Sequence, residues 1–135
     1  MNSAFVDTSY LLALELRHDQ AHQAAIQHWQ RRATRLMQMV TTSFILDEAV
    51  TFFNGRGYHD RAVKVGNNLL ESPSVRFIHV DKSLFYDGWR YFQQHRDKDY
   101  SLTDCISFIV MQQLGITTAF TFDHHFRQAG FITEP

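Results

Sequence analysis

Short apolar segments alternate with longer helix-forming stretches along the whole of this 135-residue chain. The segments that predict β-strands are residues 3–7, 39–42, 75–80 and 117–122, and residues 131–133 are a candidate for a short edge strand. Helices are predicted at residues 9–17, 19–37, 43–53, 59–71, 81–95 and 102–114. Because such alternation is typical of a parallel sheet with helices on both faces, the sequence predicts an α/β fold, a three-layer α/β/α sandwich with a short parallel sheet.

The length and composition favour a single globular domain spanning residues 1–135. A chain of 135 residues is long enough to bury a substantial core but too short for two domains. Hydrophobic residues make up 44% of the chain, and 12 residues are Phe, which excludes a mainly disordered protein. No repeat, low-complexity tract or linker divides the sequence.

The charge balance excludes a protein that binds nucleic acid through its overall charge. Thirteen Lys and Arg residues stand against 14 Asp and Glu, which gives a net charge of −1. Any nucleic-acid surface must therefore be a local patch. The candidates are three basic clusters that also fit solvated helix faces: Arg31, Arg32 and Arg35; Arg56, Arg61 and Lys64; Arg90, Arg96 and Lys98.

Cys105 is the only cysteine, which excludes an internal disulfide and a zinc site built from cysteines. No basic region precedes an apolar run near the start of the sequence, so no signal peptide is predicted. No apolar stretch reaches the roughly 18 residues that suggest a membrane span. These features lead us to expect a cytoplasmic protein.

Four acidic residues stand where the chain is predicted to pass from strand to helix. They are Asp7, Glu48, Asp104 and Asp123. In an open parallel sheet, the segments that follow different strands gather at one edge, where ligands bind. Carboxylates gathered in this way repel one another unless protons or a cation compensate. A hard divalent cation, Mg²⁺ or Mn²⁺, suits such an oxygen-rich set of ligands.

Helix capping is the structural alternative for three of these acids. Asp7, Asp104 and Asp123 lie near predicted helix starts, where a carboxylate accepts hydrogen bonds from free backbone N–H groups. The sequence from Ser101 to Asp104 also has the spacing of a capping box.

Glu48 does not fit the capping interpretation. Its neighbours at helical spacing are Phe44, Ile45 and Phe52, so the pattern predicts that the carboxylate projects from an apolar stripe into a buried position. A carboxylate buried there requires an arginine, a proton or a metal ion. Asp104 has the same pattern, because Phe108 lies four residues further along.

The chain resembles the PIN-domain family, and most of all the VapC-type toxins of prokaryotic toxin–antitoxin pairs. The resemblance covers essentially the whole length. It rests on four blocks: Phe5-Val6-Asp7-Thr8-Ser9; Glu48 five residues after Ser43; Tyr100-Ser101-Leu102-Thr103-Asp104-Cys105; and Leu114-Gly115 leading to Thr121-Phe122-Asp123-His124-His125-Phe126 and Gly130-Phe131.

The resemblance implies a ribonuclease that depends on Mg²⁺ or Mn²⁺. Asp7, Glu48, Asp104 and Asp123 match the acidic quartet of the family, in which the first and third acids contact the metal most directly. Ser9 and Thr103 are implied as supporting hydroxyls. Some relatives have a further acid where this chain has His125, so the number of metal ions stays open. The family also implies an RNA substrate, a homodimer and a small antitoxin partner.

Two histidines, His124 and His125, directly follow Asp123 in the sequence. They could approach the acids, but an exposed or substrate-facing role is favoured over metal binding.

A non-catalytic RNA-binding or protein-interaction module of the same fold is the main alternative function. A phosphoacceptor domain is disfavoured, because no lysine follows the strand that ends at Phe122. No nucleotide-binding glycine loop or serine-hydrolase motif is present.

Overall fold

A computed structural model of the chain describes residues 2–33, 35 and 37–135. Five short strands form one parallel sheet in the order β3-β2-β1-β4-β5. The strands are β1 (Ser3–Val6), β2 (Gln38–Thr42), β3 (Val75–Ile78), β4 (Thr118–Phe120) and β5 (Ile132–Glu134). The central strand is β1, which pairs with β2 on one side and with β4 on the other.

Helices cover the two faces of this sheet. In chain order they are α1 (Thr8–Glu15), α2 (His22–Ala33), α3 (Ser43–Gly55), α4 (His59–Glu71), α5 (Lys82–Gln94), α6 (Leu102–Leu114) and α7 (His125–Gln128). Successive residues of a strand point to opposite faces. Phe5 of β1 accordingly packs with residues of α5, α6 and α7, whereas its neighbours Ala4 and Val6 pack with α1 and α2. The predicted α/β/α arrangement is therefore confirmed.

Several predicted boundaries are also confirmed by the structure. Helices α4 and α6 begin and end where the sequence predicted, and Gly115 ends α6 with φ of 66°. Ser101 and Asp104 form the predicted capping box at the start of α6. Helix α5 begins one residue after the predicted start, because Asp81 is its cap and accepts from the Leu84 N–H at 2.8 Å.

Other boundaries differ for local reasons. Helix α3 is capped by Thr42, whose hydroxyl accepts from the Ile45 N–H, and it continues to Gly55, two residues beyond the predicted end. The Ser43 hydroxyl accepts a hydrogen bond from the Val80 backbone N–H at 2.9 Å. Asp19 stabilises a turn by accepting from the Ala21 N–H, and α2 begins only at His22. The predicted extension of this helix to residue 37 is too long, since Gln38 already belongs to β2; residues 34 and 36 lie outside the described residues. The short helix α7 was not predicted.

In the described ranges, no helix is both long and apolar enough to span a membrane.

Candidate active site

The four acids predicted from the sequence line one open groove of about 640 Å³ at the edge of the sheet. Asp7 follows β1 and caps α1, and Glu48 lies in the second turn of α3 after β2. Asp104 lies in the first turn of α6, and Asp123 follows β4. Because the sheet is parallel, the segments that follow its strands meet at this edge. The fold thus brings together side chains that are widely separated in the sequence.

Asp7 is the most deeply placed of these acids, with 5% of its surface exposed. Its Oδ2 atom accepts hydrogen bonds from the Ser9 hydroxyl at 2.8 Å, the Thr121 hydroxyl at 2.9 Å and the Ser9 backbone N–H at 3.4 Å. Burial raises the pKa of Asp7 to about 6, the two hydroxyl hydrogen bonds oppose this shift, and the charges of Asp104 and Asp123 add to it.

The hydroxyl groups of Ser9 and Thr121 connect the ends of β1 and β4. They lie 3.1 Å apart. The Ser9 hydroxyl accepts from the Phe122 N–H, and the Thr121 hydroxyl accepts from the Asp123 N–H, each at 2.9 Å. Ser9 therefore contacts Asp7 as the resemblance implied. Thr121 was not singled out from the sequence, although its place two residues before Asp123 offered a signal.

Asp104 is also buried, with 7% of its surface exposed. Its Oδ2 atom accepts the Ser101 backbone N–H at 3.1 Å and lies 3.0 Å from Nδ1 of His125. Burial raises the pKa of Asp104, the Ser101 hydrogen bond opposes the rise, and the charge of Asp123 adds to it. The residue is thus both a helix cap and a member of the acidic cluster, so the two interpretations of this acid are compatible.

Glu48 is exposed, which makes the prediction of a buried carboxylate wrong. Phe44 and Phe52, its neighbours at i−4 and i+4, are only half-buried, so the apolar stripe lies at the margin of the core. The carboxylate enters the groove instead, where its Oε1 atom accepts a hydrogen bond of 2.6 Å from the Thr8 hydroxyl. Partial loss of water contact raises the pKa of Glu48, and hydrogen bonds from Thr8 and Thr103 oppose the rise. Thr8 was not singled out from the sequence.

Asp123 is half-buried and is held by the turn that follows it. Its Oδ1 atom accepts the His125 backbone N–H at 2.9 Å and lies 3.2 Å from His125 Nδ1. The side chain of His125 is only 17% exposed, whereas that of His124 is 70% exposed and lies 3.8 Å from Asp123. Of the two expected positions, exposed or substrate-facing, His124 has the exposed one, whereas α7 turns His125 inward against the acids, where it lines the groove.

The hydrogen bonds leave one oxygen of each aspartate available. Among the described residues, Asp7 and Asp104 accept all their hydrogen bonds through Oδ2, and Asp123 accepts through Oδ1. The other oxygen of each carboxylate therefore has no protein donor. Fixed, hard oxygen ligands that are not otherwise occupied fit a divalent cation such as Mg²⁺ or Mn²⁺.

The negative charge of the groove also favours binding of a divalent cation. Six of its lining residues are acidic, and in the described part of the chain no Lys or Arg lines it: the acids are Asp7, Asp47, Glu48, Asp99, Asp104 and Asp123. A polyanion such as RNA would be repelled from this surface unless a cation lay between them. The groove is therefore suited to binding a metal ion first and a phosphate through it.

Comparison with known proteins agrees with this geometry. The family model described as the PIN domain matches residues 4–132. The chain belongs to the PIN-domain family.

Among curated PIN-domain relatives, the chain is similar to VapC20 of Mycobacterium tuberculosis, a 23S rRNA-specific endonuclease. The two are 36% identical over 128 residues, which cover 95% of each chain. The crystal structure of VapC20, a sarcin-ricin loop cleaving toxin, matches with a TM-score of 0.88 and 34% identity, and the match covers 98% of this chain and 99% of that one. The resemblance to VapC-type toxins seen in the sequence is thus confirmed.

Two more distant structures share the PIN fold. VapBC2 of Rickettsia felis, bound to a promoter DNA fragment, matches with a TM-score of 0.71 at 10% identity. FitAcB of Neisseria gonorrhoeae matches with a TM-score of 0.67 at 14% identity. At these identities the likeness concerns the fold alone.

Proposed function

We propose that this protein is a metal-dependent endoribonuclease that hydrolyses RNA phosphodiester bonds, and that it is the toxin of a type II toxin–antitoxin pair. The observation that carries the proposal is the groove in which Asp7, Glu48, Asp104 and Asp123 converge with no Lys or Arg among its described lining. The similarity to VapC20 over 95% of each chain supports the same activity. We propose that residues 1–135 act as a single nuclease domain.

Asp7, Asp104 and Asp123 would hold Mg²⁺ or Mn²⁺ through their free oxygens, and Glu48 would contact the ion or its water from the rim of the groove. The chemistry that a bound ion supplies is activation of water and stabilisation of the departing oxygen. The chain's own hydroxyl groups keep the ligands in place: Ser9 and Thr121 orient Asp7, and Thr8 orients Glu48.

The proposed substrate is ribosomal RNA. VapC20 cuts 23S rRNA, and a substrate of that class is the first to test at 36% identity. Since this RNA is found in the cytoplasm, we place the proposed activity there.

The proposed partners are a second copy of the chain and a small antitoxin. An apolar groove of about 440 Å³ runs between α1, α2 and α4 and offers a place for an apolar antitoxin segment. Its lining includes Leu11, Leu14, Ile26, Trp29, Val65 and Leu69. A basic side chain at the end of such a segment would complement the acidic groove.

Cleavage of ribosomal RNA by the purified protein tests the activity. Intact ribosomes, purified 23S rRNA and bulk tRNA are each incubated with Mg²⁺, Mn²⁺ or EDTA, and the products are mapped by primer extension. We expect metal-dependent cuts in rRNA that EDTA abolishes. Asp104→Asn should lower the rate by at least about a hundredfold, whereas Asp60→Asn, an exposed acid in the first turn of α4, should cut like the natural protein.

Intact RNA in every reaction, from protein whose circular dichroism shows the folded state, would contradict the nuclease. If that protein still retained RNA on a filter, the non-catalytic binding module would replace it as the function.

A further inference from the structure

One basic cluster from the sequence, Arg56, Arg61 and Lys64, lies where α3 turns into α4, and all of its side chains are exposed. The Cζ atom of Arg56 is 3.6 Å from the centroid of the Phe52 ring, and Phe52 lines the acidic groove. This cluster therefore places positive charge directly beside a groove whose described lining contains no Lys or Arg.

The other two basic clusters are partly neutralised by carboxylates. Arg32 is paired with Glu134 at 3.3 Å, and Arg90 is paired with Asp87. Among the described residues, Arg56 has no carboxylate partner. An arginine that is already paired must give up a carboxylate to bind a phosphate, whereas Arg56 does not.

The guanidinium group of Arg56 is held by its contact with an aromatic ring. A guanidinium group is planar and stacks on aromatic faces, while its N–H donors point outward in the plane. The contact with Phe52 therefore restricts the side chain without using these donors. Donors in this fixed arrangement match the oxygens of a phosphate, which they bind in pairs.

Tyr58 follows in the same turn and is 51% exposed. Gly57, with φ of 80°, reverses the chain between Arg56 and Tyr58. The Cζ atom of Arg61 lies 6.0 Å from the Tyr58 ring centroid, and its Nη1 atom donates to the backbone oxygen of Glu15 at 2.6 Å. That hydrogen bond fixes Arg61 and leaves its other N–H groups available. An exposed ring next to arginines is a surface on which an unpaired base can stack.

Single-stranded RNA has the chemistry that fits this surface. It presents phosphates in succession and bases whose faces are open to stacking. In the proposed site the metal ion neutralises one phosphate, but the surrounding acids repel the phosphates on either side of it. Binding of the strand therefore requires cations outside the groove, and each phosphate contact gains free energy from released counterions.

We propose that Arg56, Tyr58 and Arg61 form an RNA-binding platform beside the acidic groove. Arg56 and Arg61 contact phosphates of the substrate strand, and Tyr58 stacks on an unpaired base. This inference rests on the proposed function, because it names the surface that holds the substrate of that nuclease. The platform takes no part in hydrolysis itself.

Binding of a fluorescent oligouridylate tests the phosphate contacts separately from cleavage. The full-length protein carries Asp104→Asn to prevent cutting, and fluorescence anisotropy gives Kd between about 50 and 200 mM salt. Arg56→Gln should weaken binding about tenfold at the lowest salt. It should also reduce the slope of log affinity against log salt by about 0.7, the value for one phosphate contact to a single strand. The control Arg90→Gln removes a charge that is paired with Asp87 and should change neither quantity.

Stacking is tested by two substitutions of Tyr58 in the same assay. Tyr58→Leu should weaken binding by about 5–150-fold, the usual effect of removing a stacked ring, without changing the salt slope. Tyr58→Phe keeps the ring and should bind like the parent protein. Thermal melts establish that the compared proteins are folded.

Cleavage kinetics in the chain that retains Asp104 provide a second measurement. Because the platform contacts the strand equally before and during the reaction, Arg56→Gln should raise KM for ribosomal RNA about tenfold and leave kcat unchanged. A lower kcat at an unchanged KM would contradict a binding role and would place Arg56 in the chemical step.

Three results would overturn the inference alone: unchanged oligouridylate affinity in Arg56→Gln or Tyr58→Leu, an equal loss of affinity in Arg90→Gln, or no oligouridylate binding by a protein whose natural form cuts RNA. Absence of cleavage by the natural protein would instead overturn the proposed nuclease. If Arg56→Gln and Tyr58→Leu then still weakened RNA binding, the platform would be the binding surface of the non-catalytic module, so the two failures are distinguishable.

Discussion

Asp7 combines near-complete burial with a charge that its surroundings disfavour. Its hydrogen bonds from Ser9 and Thr121 offset only part of the cost of burial, and its pKa remains raised to about 6. At neutral pH the carboxylate is ionised beside other acids. A group in this state binds a cation strongly and destabilises the protein when no cation is present.

Asp7→Asn should therefore stabilise the metal-free protein while abolishing metal binding. The folded pKa of about 6 lies above the ordinary value of 3.8, so between these values the folded state binds more protons than the unfolded state. In the natural protein stability should fall as pH rises from 4 to 7, and the substitution should remove this loss, worth about 1–3 kcal/mol at pH 7.

Urea unfolding in EDTA at pH 4 to 8 measures this effect. The two proteins should approach equal stability near pH 4 and diverge above pH 6. A natural protein that is as stable as the variant at pH 7 would show that Asp7 carries no such cost.

The sequence predicted the acids better than their surroundings. All four acids line one groove. Asp7, Glu48 and Asp123 come after β1, β2 and β4, and the apolar runs of the sequence predicted these strands. Asp104 reaches the same edge from the first turn of α6, which follows helix α5 and not a strand. Glu48 is exposed in spite of its apolar neighbours, because helical spacing specifies a direction around α3 but not how far the core extends beneath it. The contacts of Thr121 with Asp7 and of His125 with Asp104 join residues that are distant in the sequence, so local sequence patterns do not predict these partners.

At the level of elements, α5 and α6 approach each other closely at Gly88. A Cβ atom at this position would overlap Cγ1 of Ile106 and would lie 3.3 Å from the Cα of the same residue. Gly88 therefore fits this position because of the space available and not because of backbone freedom. The contact matters for the site, because α6 carries Asp104 at its first turn.

Gly88→Ala should destabilise the protein by about 1–3 kcal/mol, because the new methyl group forces the two helices apart. Gly66→Ala is the matched control, since Gly66 is also buried within a helix but meets only Val50 at an ordinary 3.6 Å. That control should gain about 0.5–1 kcal/mol from helix propensity. Thermal or urea unfolding measures the stability of both variants. Equal changes in stability for Gly88→Ala and Gly66→Ala would refute the close contact.

The predicted elements were correct where their end signals are local. Helix α6 has a Ser cap at one end and Gly115 at the other, and both bounds were predicted to the residue. Helix α7 escaped prediction because it is four residues long and begins without a side-chain cap. Strand β5 lies one residue later than expected, because its position is set by pairing with β4 rather than by its own apolar pattern.

Across the whole molecule, a buried chain of polar contacts joins α1, α2 and β5. The Tyr10 hydroxyl lies 2.7 Å from Nδ1 of His28, and Nε2 of His28 lies 2.6 Å from Oε1 of Glu134. Arg32 Nε reaches the same Glu134 oxygen at 3.3 Å. Because His28 is only 3% exposed, each of its ring nitrogens depends on this chain for a partner.

Tyr10→Phe should destabilise the fold by about 1–3 kcal/mol, because it leaves the buried Nδ1 of His28 without its partner. Tyr58→Phe, at a position that is 51% exposed, should change stability by less than about 0.5 kcal/mol. Both are measured by urea unfolding in EDTA. A Tyr10→Phe protein as stable as the control would mean that water replaces the hydroxyl.

Metal binding should stabilise the entire chain, since the acids come from segments that only the folded state brings together. At a Mn²⁺ concentration of about 100 times the dissociation constant, the stabilisation is about 2.7 kcal/mol, or about 10 °C in Tm for a chain of this size. Asp104→Asn should show little of this increase. Calorimetry with Mn²⁺ and with EDTA measures this increase in Tm. An equal increase in Asp104→Asn would show that the ion binds at another site.

The hydroxyl pair of Ser9 and Thr121 also has a consequence for how the protein is made. The two residues are 112 positions apart, yet each helps to hold the same carboxylate, Asp7. A ribosome must therefore translate β4 before the proposed active site can form, because only then can this strand pair with β1. On the proposed function, we expect the chain to be inactive until β4 has been synthesised, and a message truncated before β4 should yield an inactive product.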